Sequence, residues 1–385
     1  MNGKPFDPSG LPEAERKYVN DLADALDANG YGLKDYECDD SHFIVEDGHV
    51  VLLGIGAPYT EDAPPLKALV HLRELWFWNT KDGRIPSGIC GLKRLETLGC
   101  VMEGVKWLPE EIGRLSSLKT LNVEGNPIES LPSDFGGLES LEELNLKKCR
   151  LKELPESFGN LKNLKTLDLS QNRLESLPES FGELKSLETL DLRKNHSLRG
   201  LPDSFGKLVT LKEARLALCG GGLAFRRDFR FHMPASVGKL KNLEHLSLLD
   251  VPFGKFPPDF DRLTSLKRLD ISGCRLESID AVSGLESLEV LYADTNSVKR
   301  IPQDLGKLVN LKIFSVNDNE ISELPESLGS LPNLRILRVR NNRISQIPAS
   351  LAEIETLEKI WADKNDIKDY PDSLKMRAPD LEVVL

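Results

Sequence analysis

The hydrophobic and polar positions of this chain recur at a fixed spacing. Residues 141–163 read LEELNLKKCRLKELPESFGNLKN, and residues 164–186 repeat the same order of leucines, polar positions and a Phe-Gly pair. The period is 23 residues, and thirteen units follow one another from residue 72, with a degenerate unit near residue 50. Periods of about 20 to 50 residues are typical of solenoids, in which each unit packs against its neighbours.

Each unit contains the signals for one short strand and one return segment. The motif LxLx alternates with the period of a strand, and the asparagine that follows it can hydrogen-bond to turn backbone. The later motif LPxxFGxL predicts a turn and a short apolar segment. Stacked units would form a parallel sheet and bury the leucines in one continuous core.

Two further features of the repeat predict local structure: the residue at the asparagine position and one unit of irregular length. We interpret the cysteines that replace asparagine in three units as buried structural thiols, not reactive or metal-binding groups. The unit that starts at Leu266 is one residue short and has Asp280 in the proline position, which predicts a local change of curvature. The asparagine position holds Asn126, Asn172, Asn195, Asn296, Asn319, Asn342 and Asn365, and in three other units Cys149, Cys219 and Cys274.

Both ends differ from the repeat, as the ends of a solenoid must if they are to cover its core. Residues 11–28 place Tyr18, Val19, Leu22 and Leu26 on one face and predict an amphipathic helix. Two apolar runs around Asp47-Gly48 predict a hairpin at about 42–55.

The resulting domain prediction has three parts. An N-terminal cap, which includes the degenerate repeat, occupies residues 1–71, and thirteen repeats occupy residues 72–371, with an insertion at about 219–233. Residues 372–385 form a C-terminal cap with a last short helix and a half-unit.

Charge and composition narrow the function classes. The net charge is −11, from 61 acidic and 50 basic residues, which argues against nucleic-acid or anionic-membrane partners. The N-terminus has no apolar leader and no run is long enough to span a bilayer, so we expect a cytoplasmic protein. The six cysteines form no CxxC pair, and neither HExxH nor GxSxG occurs. We therefore expect a monomer that is not an enzyme and has no metal or cofactor.

The pattern LxxLxLxxNxLxxLPxxFGxLxx resembles the leucine-rich repeat family over roughly residues 50–385. The 23-residue subtype is similar to the intracellular Ras-group proteins of plants and to the Ras-suppressor scaffolds of animals. The resemblance implies an α/β fold: a right-handed solenoid or horseshoe with a concave parallel β-sheet, convex short helical, 3₁₀ or extended segments, and here an N-terminal helix-hairpin cap. It also implies a non-enzymatic signalling scaffold whose concave face binds a protein, in some relatives a small GTPase.

Strand alternation predicts which side chains face outward and could contact a partner. Near the N-terminus these include Trp76 and Trp78, with Met102 beside them, although the cap could instead fold over this patch. From the seventh unit onward, arginine and aromatic side chains predict a second contact zone, because these types are enriched at binding hot spots. The zone comprises Arg215, Leu249, Arg268, Tyr292, Asp294, Arg338, Arg340 and Trp361.

The seventh unit also contains an insertion. Three glycines, Gly220 to Gly222, precede a basic aromatic segment, and insertions in solenoids often form binding loops. The alternative is that its phenylalanines pack into the adjacent core. The segment contains Phe225, Arg226, Arg227, Phe229, Arg230 and Phe231.

The sequence thus favours a protein-binding scaffold that uses its concave face and the insertion loop. One alternative is the substrate-recognition domain of a larger enzyme, such as an effector ubiquitin ligase, in which a separate domain carries the chemistry. Another is a structural spacer, in which changes to the concave face would alter no interaction.

Overall fold

A computed structural model describes residues 8–28, 43–55, 66–77, 83–101, 104–220, 229–377 and 379–385. The chain divides into two compact units. Unit 1 comprises Met1–Arg173 and Glu183–Leu187, and unit 2 comprises Leu174–Gly182 and Glu188–Leu385.

Unit 1 contains a sheet whose strands follow chain order. Its first two strands pair antiparallel around the turn at Asp47-Gly48, and the later strands are parallel. The strands are β1 (Phe43–Glu46), β2 (His49–Ile55), β3 (Glu74–Phe77), β4 (Thr97–Cys100), β5 (Thr120–Asn122), β6 (Glu143–Asn145) and β7 (Thr166–Asp168). The α-helix α1 spans Glu13–Ala28, and 3₁₀ helices span Pro8–Gly10, Leu66–Ala68, Ser87–Gly91, Ile112–Arg114, Phe135–Gly137 and Glu156–Asn160. The predicted helix and hairpin are therefore confirmed.

Unit 2 has the same construction, with parallel strands in chain order. The strands are β8 (Thr189–Asp191), β9 (Glu213–Arg215), β10 (His245–Ser247), β11 (Arg268–Asp270), β12 (Val290–Tyr292), β13 (Ile313–Ser315), β14 (Ile336–Arg338), β15 (Lys359–Trp361) and β16 (Glu382–Val384). The helix α2 spans Asp372–Lys375. The described 3₁₀ helices span Glu179–Glu183, Asp203–Lys207, Ala235–Lys239, Phe260–Arg262, Asp280–Gly284, Gln303–Lys307, Glu326–Ser330 and Ala349–Glu353.

The leucines fill the core between strands and 3₁₀ helices, as the pattern predicts. In unit 1, Leu121, Leu144 and Leu167 at the strand centres are at most 2% exposed. On the opposite side of the core, the rings of Phe135 and Phe158 stack with centroids 5.9 Å apart. Because these positions recur, successive repeats stack on one another and form a leucine-rich repeat solenoid.

In the repeats that have asparagine at the ladder position, its side chain ties the turn to the preceding repeat. Asn172 is 5% exposed, and its Nδ2 donates to the carbonyls of Leu146 at 2.8 Å and Leu169 at 2.9 Å. Its Oδ1 accepts a hydrogen bond from the backbone N–H of Leu151 at 3.0 Å. One amide thus satisfies three buried backbone groups that strand pairing leaves open.

The cysteines at this position keep part of that arrangement. The thiol of Cys219 donates to the carbonyl of Leu192 at 3.1 Å, and that of Cys274 donates to Leu248 at 3.0 Å. Burial raises the pKa of Cys149 and of Cys219 to about 12. Buried, protonated thiols with carbonyl partners support the structural interpretation. Cys38 lies outside the described residues.

A buried carboxylate anchors α1 to the hairpin, which the sequence did not indicate. Glu15 is 2% exposed, and its Oε2 accepts a hydrogen bond from the backbone N–H of Val50 at 2.8 Å. Its Oε1 lies 2.8 Å from Nδ1 of His49, whose ring stacks on that of His71 with centroids 3.6 Å apart. Tyr18, on the predicted apolar face, is 3% exposed, whereas the side chains of Leu22 and Leu26 are not among those described.

At the residue that follows the first leucine, the charge changes sign from one repeat to the next, except that Arg335 follows Lys312. The resulting contacts join residues about one repeat apart at 2.6 to 2.7 Å. Each pair is exposed and screened by solvent, so it contributes little to stability, but the opposite charges favour one register between neighbouring repeats. The pairs are Glu96 with Lys119, Glu142 with Lys165, Glu188 with Lys212, Glu244 with Lys267, Glu289 with Lys312, and Arg335 with Glu358.

Removal of one ladder amide should destabilise the protein more than its conversion to cysteine. Asn172→Ala leaves three buried backbone groups unpaired, so the free energy of unfolding should fall by about 2 to 4 kcal/mol. Asn172→Cys retains one donor and should lose less. Urea unfolding measures both values, and the exposed Asn163→Ala serves as the control. Equal losses for the two Asn172 variants would contradict the ladder's role.

The buried thiols should be unreactive in the folded protein. In a Cys38→Ser variant, the remaining five cysteines are all buried. Because burial also raises the pKa of Cys90 to about 11, almost no thiolate exists at pH 8. An aromatic disulfide reagent should modify these thiols only after denaturant is added, and rapid labelling without denaturant would contradict their burial.

Candidate partner-binding site

The outward residues of β9 to β15 form a continuous surface in unit 2, here called the sheet face. Each of these strands has three residues; the central one is buried and the other two are more exposed, except for Val290 and Ser315, which are also buried. The third residues are in register from strand to strand, in the order Arg215, Ser247, Asp270, Tyr292, Ser315, Arg338 and Trp361. Strand alternation places this row on the outer side of the sheet, although Ser315 is fully buried.

Three predicted residues line one depression on the sheet face. Arg215, Arg268 and Tyr292 contribute to a cavity of about 310 Å³, which we call the Arg215 depression. Two further lining residues, Arg193 and His245, add positively chargeable groups. The depression therefore offers guanidinium groups and an aromatic ring within one concave surface, a combination typical of protein-binding hot spots.

A buried carboxylate holds one edge of this depression. Asp191 is 5% exposed, and its Oδ2 lies 2.6 Å from Nη2 of Arg193. The same oxygen is 3.9 Å from Nη1 of Arg215, whose Nε also pairs with Glu213 at 2.7 Å. These contacts fix the orientation of the two guanidinium groups within the folded protein.

Trp361 lies among cations on the same face. The guanidinium carbon of Arg338 is 4.8 Å from the centroid of the indole ring, and Nζ of Lys359 is 4.9 Å away. We call these three residues the Trp361 cluster. Within the described residues Arg338 forms no ion pair, whereas Lys359 pairs with Glu382 at 2.7 Å. Cation–π contacts of this kind orient the ring. They leave the edge of the guanidinium group free to form hydrogen bonds with another group.

An apolar row joins the two features; its first member, Val290, is buried, and the other two are half-buried. Val290, Ile313 and Ile336 are the first residues of β12, β13 and β14 and lie in register beside the row of third residues. Ile336 is aligned with Lys359 of the Trp361 cluster. The sequence interpretation did not single out this row as part of a site, although strand alternation places its members on the sheet face.

Two of the predicted contact residues are engaged within the protein. Asp294 accepts hydrogen bonds from the hydroxyl of Ser315 and the backbone N–H of Asn317, both at 2.7 Å. Burial raises the pKa of Asp294 despite these hydrogen bonds. Arg340 forms a two-point pair with Asp363, at 2.6 and 2.9 Å. We therefore assign both residues to the support of the sheet face. Leu249, at 37% exposed, remains accessible.

The last residues of the insertion pack into the neighbouring repeats. This corrects the prediction that Phe231 belongs to a partner-binding loop. Phe231 is 2% exposed, and its backbone N–H donates to the carbonyl of Pro252 at 3.0 Å. It belongs to the core and cannot contact a partner. The Phe229 carbonyl accepts from Arg275 at 3.3 Å, and the Arg230 side chain packs against Gly254. Phe225, Arg226 and Arg227 lie outside the described residues.

In unit 1 the predicted N-terminal patch is described only in part. Trp76 is half-buried, and its ring covers Gly99, since a Cβ on that glycine would lie 2.0 Å from Cε3 of the indole. Trp78 and Met102 lie outside the described residues.

One exposed tryptophan was missed. Trp107 is 52% exposed, with the guanidinium of Arg84 5.2 Å and Nζ of Lys106 5.7 Å from its ring centroid. It occupies a repeat position that other units fill with small or polar residues, for example Glu153 and Glu323. An alignment of the units at that position would have indicated its exposure.

The described residues contain no cluster of three or more metal-ligating side chains. Nor does any described helix combine the length and the apolar character that crossing a membrane requires.

Family models for leucine-rich repeats match three parts of the chain. The model described as a leucine-rich repeat region matches residues 59–150 and 143–219, a two-copy leucine-rich repeat model matches residues 309–353, and a single-repeat model matches residues 265–285. No curated protein sequence matches significantly. Together with the repeated strand and ladder geometry, these matches place the chain in the leucine-rich repeat family.

Solved structures share this fold. The leucine-rich repeat protein LIC12759 of Leptospira interrogans is 26% identical, with a TM-score of 0.67 over 86% of this chain and 88% of that chain. A TDR receptor is 28% identical, with a TM-score of 0.64 over 81% of this chain, which spans 55% of the receptor chain. Drosophila Toll, solved in complex with Spätzle, is 21% identical, with a TM-score of 0.64 over 83% of this chain and 47% of that chain, and shows the fold alone.

The pair formed by Arg340 and Asp363 should make stability depend on acid pH. The hydrogen bonds from Arg340 lower the pKa of Asp363 below its ordinary value of about 3.9. The stabilisation is therefore complete above that value and is lost as the pH falls through the lower, folded-state pKa.

Urea unfolding of wild type and Asp363→Asn from pH 6 down to pH 2 should show this dependence directly. The advantage of wild type should be constant near neutrality and shrink toward the acid end. An advantage that does not change with pH would mean that the ion pair contributes nothing.

Proposed function

We propose that this chain is a non-enzymatic binding module that holds a protein partner on the sheet face of unit 2. The observation that carries the proposal is the Trp361 cluster, a half-exposed indole with two cations about 5 Å from its ring. Tryptophan and arginine are the residue types that dominate measured binding energy at protein interfaces. The wider family supports this use, since leucine-rich repeats commonly mediate protein–protein interaction.

The rest of the sheet face supports an interface larger than a single hot spot. The Arg215 depression lies several strands from the Trp361 cluster, and the apolar row of Val290, Ile313 and Ile336 lies between them. A partner that covers both would bury an apolar centre with charged groups around it, which is the usual composition of a specific interface.

The test compares two matched tryptophan–arginine pairs. Trp361→Ala with Arg338→Ala removes the hot spot on the sheet face, whereas Trp107→Ala with Arg84→Ala removes an equivalent pair elsewhere. Each variant is first checked by circular dichroism and thermal unfolding. Proteins captured by the wild type are identified by mass spectrometry, purified, and titrated against all three forms by calorimetry.

The affinity of at least one partner should fall by about tenfold or more in the sheet-face variant, which corresponds to about 1.4 kcal/mol or more, and stay within about twofold in the control. Equal affinity of every partner for wild type and the sheet-face variant would refute the proposal.

A further inference from the structure

A groove of about 1080 Å³ crosses successive repeats of unit 2, along the segments that lead into the 3₁₀ helices. We call it the proline groove. Its lining includes one proline from each of three successive units, Pro302, Pro325 and Pro348, each next to a nearly buried Ile or Leu. Asp280 of the short repeat lies at one end and Pro371, just before α2, lies at the other. The groove therefore extends between the two irregular parts of this unit.

The rim of the proline groove is acidic. Asp280, Asp304, Glu323 and Glu326 line it, and Arg300 is the lining cation. Arg300 pairs with Asp280 at 3.4 Å and Lys307 pairs with Asp304 at 3.1 Å, so Glu323 and Glu326 are the lining carboxylates that form no ion pair among the described residues. Glu323 is exposed and forms no ion pair with any described residue. The departure from the repeat at Asp280 adds a carboxylate where other units have proline.

We propose that the proline groove binds an extended, basic segment of a protein. The apolar stems of lysine and arginine can lie on proline rings and on the edges of Ile and Leu while their charged ends reach carboxylates at the rim. Opposite charges in a partly desolvated groove attract more strongly than on an open surface. The proline groove is formed by other residues than the sheet face, so the two surfaces can be tested separately.

Charge reversal at equivalent repeat positions provides a matched test. Glu323→Lys with Glu326→Lys changes the rim, whereas Glu153→Lys with Glu156→Lys makes the same change at the corresponding positions of a repeat in unit 1. All four glutamates are exposed, so both variants should fold. The probe is a fluorescein-labelled decapeptide of alternating lysine and alanine, and its glutamate counterpart serves as the negative probe. Fluorescence anisotropy at physiological salt gives the Kd for the full-length protein.

The lysine probe should bind wild type and the unit 1 variant with Kd values within about threefold, and the groove variant about tenfold or more weakly. The glutamate probe should bind none of them. An equal loss in both variants would show attraction to net negative charge alone, and an unchanged Kd in the groove variant would place the probe elsewhere. Either result overturns the proposal.

Discussion

The structure depends on a side-chain hydrogen bond that ties most turns to the repeat before them. Nδ2 of Asn319 donates to the carbonyl of Ala293, which lies 26 residues earlier, while its Oδ1 accepts from the backbone N–H of Val298. A single buried side chain therefore fixes the position of one turn relative to its neighbour. Because each repeat contacts mainly adjacent repeats, this local constraint is propagated through each unit.

The sheet face is a consequence of that constraint. Since the ladder and the leucines hold the register, the outward residues of the strands can vary in chemistry from repeat to repeat. In unit 2 the variation places Tyr292 in the same row as Arg338 and Trp361. In the repeats with Asn or Asp at this row, the side chain often accepts a hydrogen bond from backbone two residues later, as Asp168 does from Ser170. In those repeats the outward residue supports the turn that follows the strand.

Most of the fold could be predicted from the sequence because it repeats. The strand, the asparagine ladder and the buried phenylalanines recur at one spacing, so every unit is evidence for the next. Contacts that occur only once in the chain leave no repeated pattern in the sequence. The burial of Glu15 against Val50 joins residues 35 apart through a non-repeated cap, and only the folded chain shows it. The burial of Phe231 likewise follows from where the insertion re-enters the core. The exposure of Trp107 and the pattern of opposite charges can be predicted from an alignment of the repeats, but not from strand periodicity alone.

The central claim is that the sheet face of unit 2 holds the protein partner, and site-specific photocrosslinking tests it most directly. A benzophenone amino acid replaces Tyr292 on the sheet face or, in a separate variant, Glu143, an exposed outward strand residue of unit 1. With the calorimetrically verified partner present, illumination should crosslink the partner at position 292 and leave position 143 unreacted. Crosslinking at 143 without crosslinking at 292 would contradict the account.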